Sequence, residues 1–287
     1  MAITVTRVRA VPDRLPECPD ADLSAVLTSV LQAATVWTTM ADGVTSPVDS
    51  DVLGMLDGVS VSSVPDVVAR MQGLDAVLPV EDGLKWFNFL YRMVTEQILA
   101  DIAASKWQDG PWLAELDVVF ARLFFEAIVT WIKAPEQCPR AWVPLFERRH
   151  DRHVARVQFG MAGMNAHINR DLPLAVVRTC EMRNVVPHRG SPQHADYERV
   201  NSILEAVEIR AMEAMATGII GDVARDMGRL DDIIAMWDVR KARDAAWING
   251  EVLWTLRSSP NLSTDYLAAL DRMAGFAGRG LLIPTEV

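Results

Sequence analysis

Apolar residues recur at three- and four-residue intervals along most of the chain, the spacing of helices that bury one face. Between Glu81 and about Ser105, six residues share such a face: Trp86, Phe89, Leu90, Met93, Val94 and Ile98. Gly110-Pro111 opens a second long helix, ending near Ile132 before Ala134-Pro135. It is apolar on most sides, so these two are expected to form a central apolar pair. Asp20 caps a helix running to about Met40, and Val64-Pro65-Asp66 opens a short one with Pro in the first turn. From Pro139 to Phe146 a third long helical region begins, and the pattern carries it through Glu147–His153 into Gly160–Pro173. Pro173 must disturb it, because proline donates no backbone hydrogen bond, so Asp171 is expected to end one helix and cap the next. Further helices are expected from about His194 to Thr217, Leu230 to Ser258 and Thr264 to Ala274. Thr45–Val61 reads as loop with short helical pieces, and Asn184–Gln193 as loop. Only Ile3–Val11 alternates like a strand. The expected fold is all-α, a single multi-helix domain over residues 1–287 without internal repeats.

Half of the residues are hydrophobic, enough for a substantial core, with nine Trp and thirteen Met among them. The formal charge of −10 argues against nucleic acid and against anionic membrane surfaces. No charge-free run approaches a membrane-spanning length, and Met1–Arg9 lacks an apolar signal region. Cys18, Cys138 and Cys180 are too widely spaced for a Cys-x-x-Cys metal site or a disulfide framework. A cytoplasmic protein with free thiols is expected.

Candidate chemistry concentrates in Gly160–Pro173, where apolar and small residues surround Asn165, His167, Asn169, Arg170 and Asp171. Burying such groups is costly unless each finds a partner. On a helix His167 and Asp171 share a face at i and i+4, and Asn165 and Asn169 share another. Asn165, His167 and Asp171 are therefore the candidate catalytic residues. Trp86, Tyr91, Trp112, Met161, Met164 and Asn201 are the candidate substrate-binding residues on the flanking helices. All five histidines (His150, His153, His167, His188 and His194) lie within one stretch. His167 with Asp171 and His194 with Glu198 have helical ligand spacing, which gives an alternative metal site. Glu147–His153 reads as a solvated face, although Arg148 or Arg152 could hold a planar anion. There is no Gly-rich phosphate loop and no nucleophile elbow; Gly160 and Gly163 fit close helix packing.

Four segments carry a resemblance: Leu78–Tyr91 with Thr95, Leu116–Ala121, Gly163–Pro173, and His194 through Tyr197 and Asn201 to Leu204. Together they resemble a largely actinobacterial group of helical proteins known as a domain of unknown function. The resemblance spans roughly residues 75–215, with residues 1–75 a variable part and 216–287 carrying C-terminal helices. It implies a helical fold and no particular activity. A more distant similarity is to the helical zinc phospholipase C and P1 nuclease group, through His167, Asp171, His194 and Glu198. That group has a further His where this chain has Val177, and uses a leading Trp where this chain has Met1. No cofactor is expected.

The reading favoured at this stage is a cytoplasmic cyclase or isomerase working on an apolar polyketide- or terpene-like intermediate without a cofactor. An aromatic- and Met-lined pocket would hold the folded substrate while Asn165, His167 and Asp171 assist by hydrogen bonding or proton transfer. The alternatives are a metal-dependent phosphoesterase-like hydrolase and a non-catalytic small-molecule binding protein. The expected partner is an apolar small molecule, with a second copy of the chain compatible and neither nucleic acid nor membrane expected.

Overall fold

A computed structural model describes residues 46–104, 106–216 and 238–284. The expected strand Ile3–Val11, the helix from Asp20 to Met40, Cys18 and the beginning of the Leu230 helix lie outside the described residues. The described residues contain helices and turns but no strand, so the chain is all-α. In chain order the helices are α1 (Pro47–Leu56), α2 (Val64–Val77), α3 (Gly83–Ala103), α4 (Gly110–Lys133) and α5 (Val143–Arg148). They continue with α6 (Arg156–Ala166), α7 (Leu172–Arg183), α8 (Pro192–Ala216), α9 (Val239–Leu256) and α10 (Pro260–Leu281).

Most starts are set by a polar side chain accepting from an exposed backbone amide. Ser46 caps α1, Ser63 caps α2, Asp82 caps α3, Asp109 caps α4 and Asp238 caps α9, often with Pro in the first turn. The expected long helix from Pro139 into Gly160–Pro173 is in fact two, α5 and α6. Between them the Arg149 guanidinium is buried on the Asp82 carboxylate, and the Arg149 carbonyl accepts from the Gly83 amide. That tie to the start of α3 turns the chain out of helical register. The last helix runs to Leu281 rather than ending near Ala274. Gly275 does not stop it. A Cβ there would lie 2.5 Å from the Arg140 carbonyl oxygen, so the residue allows α10 to touch the chain entering α5.

The core consists of two adjoining clusters. One joins α1, α2, the first half of α3, α4 and α5 around Phe87, Phe124 and Trp142. The other joins the later turns of α3 with α4, α7, α8 and α9 around Trp112, Tyr197 and Trp247. α4 runs through both, with Phe124 in one and Trp112 in the other, so it is the central helix expected. The line between α6 and α7 is not a cap but a turn of π-helix, His167–Asp171. Asp171 makes no capping bond to α7, contrary to its expected role, because its side chain turns inward. The wider π register accommodates Pro173 at the second position of α7, where the missing N–H and ring would disrupt an uninterrupted α-helix. No described helix is long and apolar enough to cross a membrane.

Candidate functional site

The π-turn delivers His167 and Asp171 into the seam between the two core clusters. His167 Nδ1 lies 3.0 Å from Asp171 Oδ2. That oxygen also accepts from Trp142 Nε1 at 2.9 Å, and Asp171 Oδ1 accepts from Arg170 at 2.6 Å. Burial alone would raise the Asp171 pKa, but the bond from His167 and the Arg170 charge outweigh it and keep it below the usual carboxylate range. An ionised carboxylate only accepts, so Nδ1 carries the imidazole proton and Nε2 presents a lone pair. Burial lowers the His167 pKa despite the attraction of Asp171, so the ring is neutral at pH 7.

The imidazole is clamped by aromatic rings. Phe120 stacks on it, with centroids 3.4 Å apart and planes 5° from parallel, and Tyr91 meets it edge-on at 4.7 Å. Phe120 comes from α4, and close approach of α3 and α6 brings Phe87 and Tyr91 to the imidazole. Gly163 faces Phe87, and a Cβ at Gly163 would lie 2.2 Å from that ring.

His167, Tyr91, Phe120 and Asp117 line one cavity of about 60 Å³ at the junction of the two clusters. Leucine, valine and isoleucine side chains of α3, α4 and α8 supply most of the remaining wall. Three polar atoms of this lining are buried without a hydrogen-bond partner among the described residues: His167 Nε2, Tyr91 Oη and Asp117 Oδ2. An unpartnered buried polar atom costs about 1–3 kcal/mol, so these three are a local cost to the fold gathered in one cavity. Burial pushes the Asp117 carboxyl up to about 7. Burial also holds the Tyr91 hydroxyl well above its usual range, reinforced by the charges of Asp117 and Asp171. Below about pH 7, once His167 has lost its proton, the cavity thus contains one neutral base and two weak O–H donors.

The expected site residues separate into two groups. Tyr91 and Met164 line the cavity beside His167, and Asp171 stands directly behind His167. Asn165 does not line it. Its amide donates to the Ala274 carbonyl at 2.8 Å and accepts from Asn169, which ties α6 to α10. Trp86 lies away from it, donating to the Val80 carbonyl beneath Arg156. Met161 is buried without lining it, and Trp112 packs edge-on against Trp247. Asn201 stands behind the lining, accepting from Arg243 Nε at 2.7 Å. Arg148 and Arg152 are at the surface, Arg148 pairing with Asp151, as a solvated face requires.

The alternative metal site is not assembled. Among the described residues no three His, Cys, Asp or Glu side chains come together to hold a metal ion. His167 is enclosed by Phe120 and Tyr91, while His194 packs on Trp247, and Asp171 spends both oxygens on His167, Trp142 and Arg170. Helical spacing on two helices did not ensure that the helices face each other.

Asp117, Phe120 and Arg243 belong to the cavity and were not singled out as site residues. For Asp117 a signal existed: it is the one carboxylate in the apolar run Leu116–Phe125 of a helix expected to be central.

These features define an all-α protein with a buried histidine, oriented by an aspartate, lining a mostly apolar cavity. The chain belongs to the family described as a family of unknown function (DUF5995), whose model matches residues 64–284. No curated protein and no solved structure matches it.

Proposed function

We propose that this protein is an acid–base enzyme that enolises an apolar carbonyl compound, and so acts as an isomerase or cyclase. The observation that carries the reading is the neutral His167, oriented by Asp171, with Nε2 unpartnered in the same apolar cavity as the unpartnered Tyr91 and Asp117 hydroxyls. His167 Nε2 removes a proton from the carbon beside the carbonyl. The released electron pair forms a carbon–carbon double bond as the carbonyl π pair moves onto oxygen. Tyr91 and protonated Asp117 supply hydrogen bonds to that oxygen, as an oxyanion hole does. Return of the proton from His167 to a different carbon isomerises the substrate; attack of the enolate carbon on a second carbonyl of the same molecule closes a ring, that carbonyl's π pair moving onto its oxygen, which takes the proton back from His167. The apolar wall strengthens each of these interactions by excluding water.

A volume of about 60 Å³ is several-fold below the roughly 300–1,000 Å³ of ordinary ligand pockets, so without rearrangement it holds only the reactive end of a substrate. For a polyketide- or terpene-like substrate the reading therefore includes separation of the cavity walls on entry.

The test is exchange of the protons beside the carbonyl of small ketones, such as 2-pentanone and cyclohexanone, in D2O followed by NMR. The wild type is expected to accelerate exchange, and His167→Ala to reduce the rate 10²–10⁴-fold, typical for a positioned base. Asp171→Asn is expected to cost less, because it orients the ring rather than receiving the proton. The pH profile is expected to be bell-shaped. It rises as His167 loses its proton, below the ordinary histidine value, and falls as Asp117 ionises near 7. A folded His167→Ala protein with unchanged exchange removes His167 from the mechanism. Retention of ketone without exchange by the wild type favours a binding protein.

A further inference from the structure

We infer that the ligand of this cavity is an apolar carboxylate and that Arg243 receives its head group; the inference rests on the cavity being a substrate site. Arg243 comes from α9, is 5% exposed and lines the cavity with Val200 and Leu204 of α8. Its Nε donates to Asn201 Oδ1 at 2.7 Å and its Nη2 to the Tyr197 carbonyl at 2.6 Å, while the guanidinium lies 4.1 Å from the Tyr197 ring centroid. All three contacts are to neutral groups. Among the described residues Arg243 forms no ion pair, and two of its five N–H groups have an acceptor, both neutral.

The other fully buried arginine shows what this fold does when the role is structural. Arg149 pairs with both Asp82 at 2.6 Å and Asp49 at 3.1 Å. Arg243 has instead an arrangement that points it. Glu198 Oε2 accepts from Asn201 Nδ2 at 3.2 Å, which fixes the amide so that its oxygen faces Arg243. Glu198 makes no ion pair with Arg243 and reaches it through Asn201, although its charge still favours the charged guanidinium. Asp117 does not neutralise it either, since burial raises Asp117 with no cation opposing.

A buried guanidinium without an anion is costly, and a carboxylate answers it with two parallel charge-assisted hydrogen bonds. The wall beside it selects the rest of the ligand. Val94 and Ile98 of α3, Leu113 of α4 and Leu204 of α8 are all apolar. The α3 positions in the wall run from Phe87 to Ile98, roughly 16 Å of helix. His167 packs against Phe87 and Tyr91, and Arg243 against α8. An apolar acid with its carboxylate at Arg243 and a carbonyl toward His167, a keto acid, satisfies both groups. A free inorganic anion leaves the apolar wall unfilled.

The experiment compares hexanoate with hexan-1-ol, two probes of equal chain length that differ in charge, by calorimetry at pH 6.5. The wild type is expected to bind hexanoate at least tenfold tighter. Arg243→Gln is expected to bring the ratio to about one, and Arg243→Lys to keep part of the preference. Equal affinities in the wild type, tighter binding of the alcohol, or no hexanoate binding at millimolar concentration overturns the inference. So does a preserved preference in folded Arg243→Gln. The wild-type comparison needs no variant to fold. Equal affinities in a protein that still catalyses His167-dependent exchange overturn the role of Arg243 alone. A tenfold preference without any exchange leaves Arg243 as the carboxylate receptor and overturns only the acid–base reading.

Discussion

Asp117 is a carboxyl group whose cost to the fold depends on pH. In the folded chain its pKa is about 7, against 3.8 for an unburied aspartate. Between these values the folded state holds a proton that the unfolded state releases, so stability falls as pH rises from about 4 to 7 and is flat above. The displacement of about three units corresponds to an upper limit on the order of 4 kcal/mol. Asp117→Asn removes that slope. In urea unfolding from pH 4 to 8, the variant is expected to gain on the wild type as pH rises, and parallel curves would refute a buried neutral carboxyl. Asn165 is expected to behave differently. Its partners are the Ala274 carbonyl and Asn169, so it serves packing between α6 and α10 rather than proton transfer.

At the scale of elements, the site depends on how closely α3 and α6 approach and on the turn that follows. Gly163 is where the approach is tightest. Adding a methyl group there gains helix propensity of up to about 1 kcal/mol, but a Cβ 2.2 Å from the Phe87 ring forces that ring to move. Overpacking of this kind costs about 1–3 kcal/mol, so it wins. Gly163→Ala is expected to lower the thermal midpoint by several degrees and to disturb the Phe87 side of the His167 enclosure. Gly54→Ala is the matched comparison. Nothing lies within 4 Å of its Cβ, and it sits inside α1, so the same substitution is expected to be neutral or mildly stabilising. Equal effects at the two positions in calorimetry would mean that the close approach is not what sets the cost at Gly163.

At the scale of the described molecule, α10 holds α6 in place by polar ties as well as by burying Ala274 in the core. The Gln158 amide donates to the Leu281 and Ile283 carbonyls, both at 2.8 Å. Asp271 accepts from the Arg140 and Ala141 amides at 2.9 and 3.1 Å. The family match extends to residue 284 and so includes this helix. Asp271→Ala leaves two amides at the start of the α5 region without their acceptor and is expected to cost about 1–2 kcal/mol. Ending the chain at Ser258 removes every one of these ties and uncovers α6. Loss of cooperative thermal unfolding is expected, and a truncated chain with an unchanged transition would show that α10 is an accessory.

How much of this was legible in the chain follows from the range of the forces involved. The helices α2, α3, α4 and α8 could be read because their signals are local: a 3.6-residue apolar period, a Ser or Asp cap, a Pro at the start. The pairing of His167 with Asp171 was legible for the same reason, since partners four residues apart meet on one helix whatever lies around them. The break between α5 and α6 was not, because it follows from Arg149 reaching Asp82, sixty-seven residues away. Nor could the pattern separate Tyr91, in the cavity, from Trp86, outside it, both aromatic residues of α3. Burial decided the chemistry as well. Asp117 becomes a neutral donor and His167 a neutral base because the tightly packed seam excludes water from them. Exclusion of water is a property of side chains brought together from α3, α4 and α6 and of the turn beyond, not of any one segment.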